Sequence, residues 1–490
     1  MFLKKKIEYY LFLLFFLLLC ISLLLFKDYG ISIDEESTRV HGIVSFNYIL
    51  KVLNNFFNFE FVIQPNYPDL RDYEFRSYGV IFELFSLILE KFFSINNYQN
   101  IFYLRHFLTS FIFIISIIYF AKIIFENFNS IFLSIWSSLI LYTSPRIFAD
   151  SFYNSKDIIF LSFFIIAIYY SFNFLKTKKN KYLFLSSLSL SLLTSVRVIG
   201  FYVFLILILF MILEILENKK NRADIKSFLK ITFLYFILTY LLWPFLWVNP
   251  IENFIYSLST MSNYNWNASV FYLGKFHHSY YLPWHYSIVW IAISNSIGVV
   301  ILIFLSIAIF FRRILNRFLK ITEKNIEFSF WKNSKEYFTY LNIFLVFIPI
   351  FLIIINNSTL YSGWRHVYFL FPSLLIISTS GVYYLLQIFN KIKKIKLALI
   401  IFCILILFTN IYNLIKFHPF QNVYFNYLSE KIANDKFEID YWGLSNTQAL
   451  SKLANNEIKN ICNVGLMNLN MSKKMLSQKE RNLIDRKSVV

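Results

Sequence analysis

Apolar residues in this chain gather, again and again, into runs of about 17 to 25, the length at which an α-helix crosses a hydrocarbon layer about 30 Å thick. A chain with that pattern folds as a polytopic helical membrane protein. Its 490 residues would otherwise allow two or three soluble domains, but the runs leave room for one membrane domain and a short tail. Composition agrees, with 58% hydrophobic and only 15% charged residues. The net charge of +19 would suit nucleic acid, yet the lysines and arginines sit mainly in short gaps between apolar runs, as the positive-inside rule requires. Nucleic acid is therefore not an expected partner. Cys20, Cys403 and Cys462 lie far apart and form neither a disulfide framework nor a CxxC metal site.

Lys4, Lys5 and Lys6 precede a first run, 9–26, with no small-residue cleavage site, which predicts an uncleaved first span with a cytoplasmic amino end. Further spans are expected at 107–125, 130–148, 157–175, 182–196, 199–216, 230–248, 287–311, 338–355, 367–388 and 397–414, eleven in all. The basic gaps 176–181, 219–222, 312–320 and 391–396 then fall inside, and the aromatic loops outside. The stretch 78–93 is about 16 residues long and carries Glu83 and Glu90. Counting it as a span would turn every later basic gap outward, so it reads as a helix lying along the outer interface. The first external loop then covers 27–106, the membrane domain 1–414, and a short external extension 415–490.

The charged residues that need a reason are at the outer edge. Asp34, Glu35 and Glu36 follow the first span in ISIDEESTRVHG. Arg105 and His106 open the second span, and SPRIFADSFYNSKD brings Arg146, Asp150, Lys156 and Asp157. Arg197 sits in a tight turn, and SGWRHVYFLFP carries Trp364, Arg365 and His366. His277, His278 and His285 share one loop, without a ligand spacing that marks a metal site. No Walker loop, GxGxxG, HExxH or GxSxG motif is present. Each charge also has a duller role open to it. Asp34 can cap a helix from Glu35 onward, Arg105, His106, Arg365 and His366 can anchor span ends, and Lys156 can pair with Asp157.

In chain order, ISIDEE, RDYEFRSYGVIFEL, LRHFLTS, SPRIFADSFYNSKD, SVRVIG, LPWHY, GWRHVYFLFP and FEIDYWGLSNTQAL resemble the membrane glycosyltransferases of the protein mannosyltransferase and aminoarabinose transferase type, a family 39-like group with the C-type glycosyltransferase fold. The resemblance implies transfer of a sugar from a polyprenyl phosphate to a lipid, glycan or protein hydroxyl at the external face of the plasma (inner) membrane. An acidic residue of the first external loop works near the acceptor in such enzymes, and here Asp34 matches, followed by Glu35. An inverting transfer needs such a carboxylate as general base and a cation on the departing phosphate. Arg105, Arg146, Lys156, Arg197, Arg365 and His366 are the expected phosphate ligands, with Asp157 and Trp364 in support. No cofactor is required, although a divalent cation on Asp34, Glu35 and a His is compatible with oxygen-rich sites of this kind. Many relatives carry a Lys-Pro-Pro turn where this chain has RSYGV, Arg76 to Val80, which weakens any transfer of acceptor-side roles to that turn. Two rival readings are a transporter or flippase and a non-catalytic binder of polyprenyl-linked lipids. The first would place its ionisable groups at mid-span, among helices broken by Gly or Pro, and this chain has only 10 Gly and 9 Pro.

Overall fold

The computed structural model describes residues 2–57, 60–217, 222–262, 264–319, 331, 333–455, 460–461, 468–485 and 488–489. Residues 219–221 and 320 of the expected basic gaps, and Cys462, lie outside that set. The expected spans become helices α1 (Phe2–Leu25), α4 (Tyr98–Phe128), α5 (Ile131–Tyr142), α7 (Asp157–Thr177), α8 (Asn180–Thr194), α9 (Phe201–Glu217), α10 (Arg222–Leu242), α13 (Ile297–Leu319), α14 (Ser334–Ile355), α15 (Leu370–Ile388) and α16 (Lys393–Phe417). Nine of these, among the described residues, are long and apolar enough to cross a membrane.

Two expected spans depart from that rule for local reasons. Pro145 opens a second helix, α6 (Pro145–Tyr153), bent 65° from α5, so 130–148 is the first part of a broken span. The expected span 182–196 is α8, whose 15 residues reach only about 22 Å, because the chain turns away at Ser195 to Arg197. A third, 287–311, is interrupted at Ser294 to Ser296 between a short α12 (Tyr286–Ile293) and α13. Buried faces of α4 and α7 and the first two thirds of α15 form the middle of the bundle, with α16 and α10 more exposed around it.

The segments between spans meet at one end of the bundle. Helix α2 (Glu35–Phe57) follows α1, and α3 (Ile81–Phe92) precedes α4. With 12 residues, about 18 Å, α3 is too short to cross a bilayer. Its sequence explains its position: Phe82, Glu83, Ser86, Leu87 and Glu90 recur at helical spacing on the buried face, leaving Phe85, Ile88 and Phe92 exposed. The same end carries α11 (Pro250–Ser262) and a hairpin of β1 (Ser269–Tyr272) and β2 (Lys275–His278), with Val270 opposite His277. It is completed by the tail helices α17 (Tyr427–Glu430), α18 (Ala433–Lys436), α19 (Ser445–Asn455), α20 (Leu469–Lys474) and α21 (Gln478–Asp485). Tyr272 of the hairpin bridges to Phe437 of the tail.

Candidate active site

Asp34 sits at the turn into α2, where its backbone carbonyl accepts the Thr38 N–H at 3.0 Å. Its carboxylate does not cap that helix. The neighbouring Glu35 does so, reaching back to the Ser32 N–H at 2.7 Å, and this leaves the Asp34 Oδ2 free to meet Arg365 Nη1 at 3.1 Å. Arg365 opens the turn before α15, and the same Nη1 lies 3.5 Å from Asp157 Oδ2. Asp157 is the first residue of α7, where a carboxylate complements the helix dipole, and its other oxygen pairs with Arg197 Nη2 at 2.5 Å. Asn154 completes the frame by donating to both Asp150 and Asp157, at 3.0 and 2.9 Å. Four chain segments far apart in sequence thus share one charge network.

Lys156 is the member that no carboxylate neutralises: none of the described residues forms an ion pair with its ammonium, which lies 4.1 Å from the centre of the Tyr78 ring. Burial lowers its pKa, Asp34 pulls it back up and Arg197 pushes it down again, with a net fall. Burial pushes the Asp34 carboxyl up, but Arg365, Lys156 and Arg197 outweigh it and hold the group below the usual carboxylate range. For Arg365 the attraction of Asp34, Tyr361 and Asp157 overcomes burial, and its pKa is raised. Burial, then Arg365 and Arg197, keep His366 well below the ordinary histidine value. The imidazole is therefore neutral at pH 7 and does not carry the positive charge expected from the sequence.

A cavity of about 310 Å³ ends on two of these groups, Arg197 and His366. Phe201, Tyr202 and Leu205 of α9 face Pro349, Leu352 and Ile353 of α14 across its apolar part. Its polar end is made by Arg197, His366, Tyr78, Tyr264 and Tyr361. Gly79 puts Tyr78 there: a Cβ at residue 79 would collide with the Ser195 carbonyl, so only glycine allows this loop to lie against the turn that carries Arg197. A second, water-sized pocket of about 10 Å³ is lined by Ser32, Asp34, Glu35, Thr38, Tyr153, Asn154, Ser155, Lys156 and Trp442. A long apolar group with an anionic head fits the first space. A small polar group fits the second, which Lys156 lines, and the Lys156 ammonium lies over the Tyr78 ring that lines the first.

The remaining expected site residues are held by other partners. Glu35 is 2% exposed and holds His106 Nε2 at 2.8 Å, which makes it a structural carboxylate. Arg105 is claimed by Glu83 and by Ser86 Oγ at 2.7 Å, with Glu90 at 3.9 Å; its Nε has no partner among the described residues, but neither pocket reaches it. Arg146 is buried between the rings of Trp290 and Phe425, 5.0 and 4.7 Å away, and donates to the Tyr424 carbonyl at 2.9 Å. Its other two guanidinium nitrogens have no partner among the described residues, but the large cavity does not reach them. Trp364 packs edge-on against Tyr368 and Phe371 in the core. A cation on Asp34 and Glu35 does not fit, since their oxygens face Arg365, His106 and a backbone N–H, and among the described residues no three His, Cys, Asp or Glu side chains converge on a point. His278 and His285 instead bond Asn267 and Tyr272. Sequence reasoning missed Tyr78, Tyr264, Tyr361 and Trp442. For Trp442 a signal was available, the Trp-Gly pair in the tail.

The sequence matches no protein-family model and no curated protein. Its structure is similar to that of the Archaeoglobus fulgidus oligosaccharyltransferase, with a TM-score of 0.54 at 11% identity over 96% of this chain and 60% of that one. ArnT from Cupriavidus metallidurans bound to undecaprenyl phosphate aligns over 75% of this chain and 59% of its own, at 10% identity and a TM-score of 0.46. The chain thus spans about 60% of the length of these structures. The similarity to the archaeal enzyme shows the fold, the C-type architecture of membrane glycosyltransferases.

Proposed function

We propose that this protein is an integral membrane glycosyltransferase that moves a sugar from a polyprenyl-phosphate donor to an acceptor hydroxyl, with inversion, at the external face of the plasma membrane. The observation that carries this reading is the cavity between α9 and α14, apolar along its walls and closed at one end by Arg197 and His366, next to the unneutralised Lys156. The first isoprene units of the donor lie in the cavity and the rest of the tail in the bilayer. Its phosphate takes the hydrogen bonds of Arg197, Lys156 and neutral His366, which stabilise the charge that grows as the sugar leaves. Asp34, on the pocket side of Lys156, accepts the proton of the attacking hydroxyl.

Burial pushes the Asp34 carboxyl up, but Arg365, Lys156 and Arg197 keep it ionised and so ready to accept that proton. The experiment uses purified protein in lipid with a panel of polyprenyl-phosphate sugars, and follows donor consumption for wild type and Asp34→Asn. Turnover by the wild type, lost in the variant with donor binding retained, is expected. Equal turnover in both removes Asp34 from the mechanism, and binding without turnover across all donors favours the lipid-binder or transporter readings.

A further inference from the structure

The tail beyond α16 makes contacts that a passive extension would not need. Trp442 lays its ring 4.6 Å from the Arg365 guanidinium, lines the small pocket beside Asp34 and Lys156, and meets the Tyr153 ring edge-on at 5.8 Å. Its carbonyl accepts the Ile33 N–H at 3.2 Å, one residue before Asp34. Asn468 then staples the strap to the same segment, with Nδ2 3.3 Å from the carbonyls of both Ile31 and Trp442 and 3.1 Å from that of Gly443. Gly30 is forced to be glycine because the Leu444 carbonyl occupies the place of its Cβ. Gly443 turns the strap at φ +66°, a conformation open to glycine, with Asp440 accepting its N–H at 3.1 Å. Farther out, Tyr29 bonds Gln421 at 3.0 Å and Lys474 pairs with Glu36 at 3.2 Å, so the tail grips both sides of the Asp34 segment.

We infer that the strap Asp440 to Leu444, locked by Asn468, is part of the catalytic apparatus, with Trp442 as the positioning residue that fixes Asp34 and Arg365 relative to each other. This rests on the transferase reading for its activity consequences. Its physical content stands apart from it. A backbone hydrogen bond and a ring face are added to the bonds that tie residues 32–34 to the start of α2 and Arg365 to Asp157. Residues 31–34 have no helix or strand of their own, so the strap limits how far the segment can tilt about the start of α2. Trp442 itself exchanges no proton in this scheme. It acts by removing two degrees of freedom, the tilt of the Asp34 segment and the swing of the Arg365 head.

The test uses the full chain in lipid nanodiscs, comparing wild type with Trp442→Ala, Trp442→Phe and Asn468→Ala. Hydrogen exchange of the peptide covering residues 30–38 reads the strap whether or not any donor is turned over. Faster exchange in Trp442→Ala and Asn468→Ala is expected, with a fall in kcat of about a hundredfold at a donor KM within about twofold of wild type, because misplacement acts on the reacting geometry more than on binding. Trp442→Phe keeps a ring over Arg365 and is expected to recover most of both signals. Should Trp442→Ala fail to fold, Asn468→Ala leaves the core ring in place and carries the same two readouts. Unchanged exchange in both alanine variants overturns the proposal, and so does a loss of kcat that leaves exchange as in wild type. A wild type that consumes no donor sinks the transferase reading, while the exchange result still decides whether the tail holds the Asp34 segment.

Discussion

Two groups of buried charge lie on either side of the chain from Ile31 to Arg39, and they differ in how they are closed. In one, Arg105 faces Glu83 and Glu90, Arg39 takes the other oxygen of Glu90 at 2.9 Å, and Ser155 donates to Glu83 at 3.0 Å. This group is sealed, with Arg105, Glu83 and Glu90 all below 5% exposure. In the other, Arg365 pairs with Asp34 and Asp157 and Arg197 with Asp157, while Lys156 is left over in the lining of the small pocket and the Asp34 side chain is 38% exposed. Arginines occur in both. The balance of carboxylates, and the presence of an opening, decide which group is scaffold and which is available to a ligand.

The contrast is broken most forcefully by Arg105→Met. It strands Glu83 without its cation, while Glu90 keeps Arg39, and a broken buried pair costs about 3–5 kcal/mol. The expected result is a large fall in the unfolding midpoint in detergent, with donor affinity of the folded fraction close to wild type. If stability holds and affinity falls, the two groups have been assigned the wrong way round. Lys156→Met is the counterpart. It strands no carboxylate, so stability changes little, and turnover drops by about 10²–10³-fold with the loss of a preorganised cation. Steady-state kinetics alongside thermal unfolding separates the two.

Much of this was legible in the sequence, and the limits are instructive. Length and polarity of the apolar runs located the helices, because a helix that crosses a bilayer must satisfy its backbone internally whatever its neighbours are. Pro145 marks the end of the incoming helix in the sequence, but the shortness of α8 could not be foreseen, since it depends on where the Ser195 to Arg197 turn is needed. Asp34, Lys156, Arg197 and Arg365 were singled out from residue type and position, and they do converge. Arg105 and Glu35 looked the same from sequence, and their partners are what set them apart. For Arg105 a clue existed, since Glu83, Ser86 and Glu90 fall on one face of a short helix and such a face needs a buried cation. For Glu35 the partner, His106, is 71 residues away and no local pattern announces it.

Ser155→Ala sharpens the boundary between the groups. Ser155 precedes Lys156 but bonds only Glu83 among the described side chains, so it belongs by sequence to one group and by contact to the other. Leaving a buried carboxylate oxygen unpaired costs about 1–3 kcal/mol. A lowered unfolding midpoint with turnover near wild type keeps the two groups distinct. Lost turnover at unchanged stability would mean that they act as one.

The smallest expected effect is on stability, in Asp34→Asn. The pair with Arg365 is 3.1 Å long, but more than a third of the Asp34 side chain is exposed, and screening by water leaves such a pair about 1 kcal/mol or less. Asp34 is held below the ordinary carboxylate range, so its contribution is present above the unfolded value of about 4 and disappears as the pH falls through the lower folded value. Wild type should therefore exceed the variant slightly in unfolding midpoint at pH 7, with the gap closing below about pH 4. The opposite sign would mean that burial outweighs the cations around Asp34, as it does when a carboxyl is kept protonated. A stability penalty near that of Arg105→Met would mean that the Asp34 pair is scaffold, and the opening beside Lys156 would then no longer distinguish the two groups.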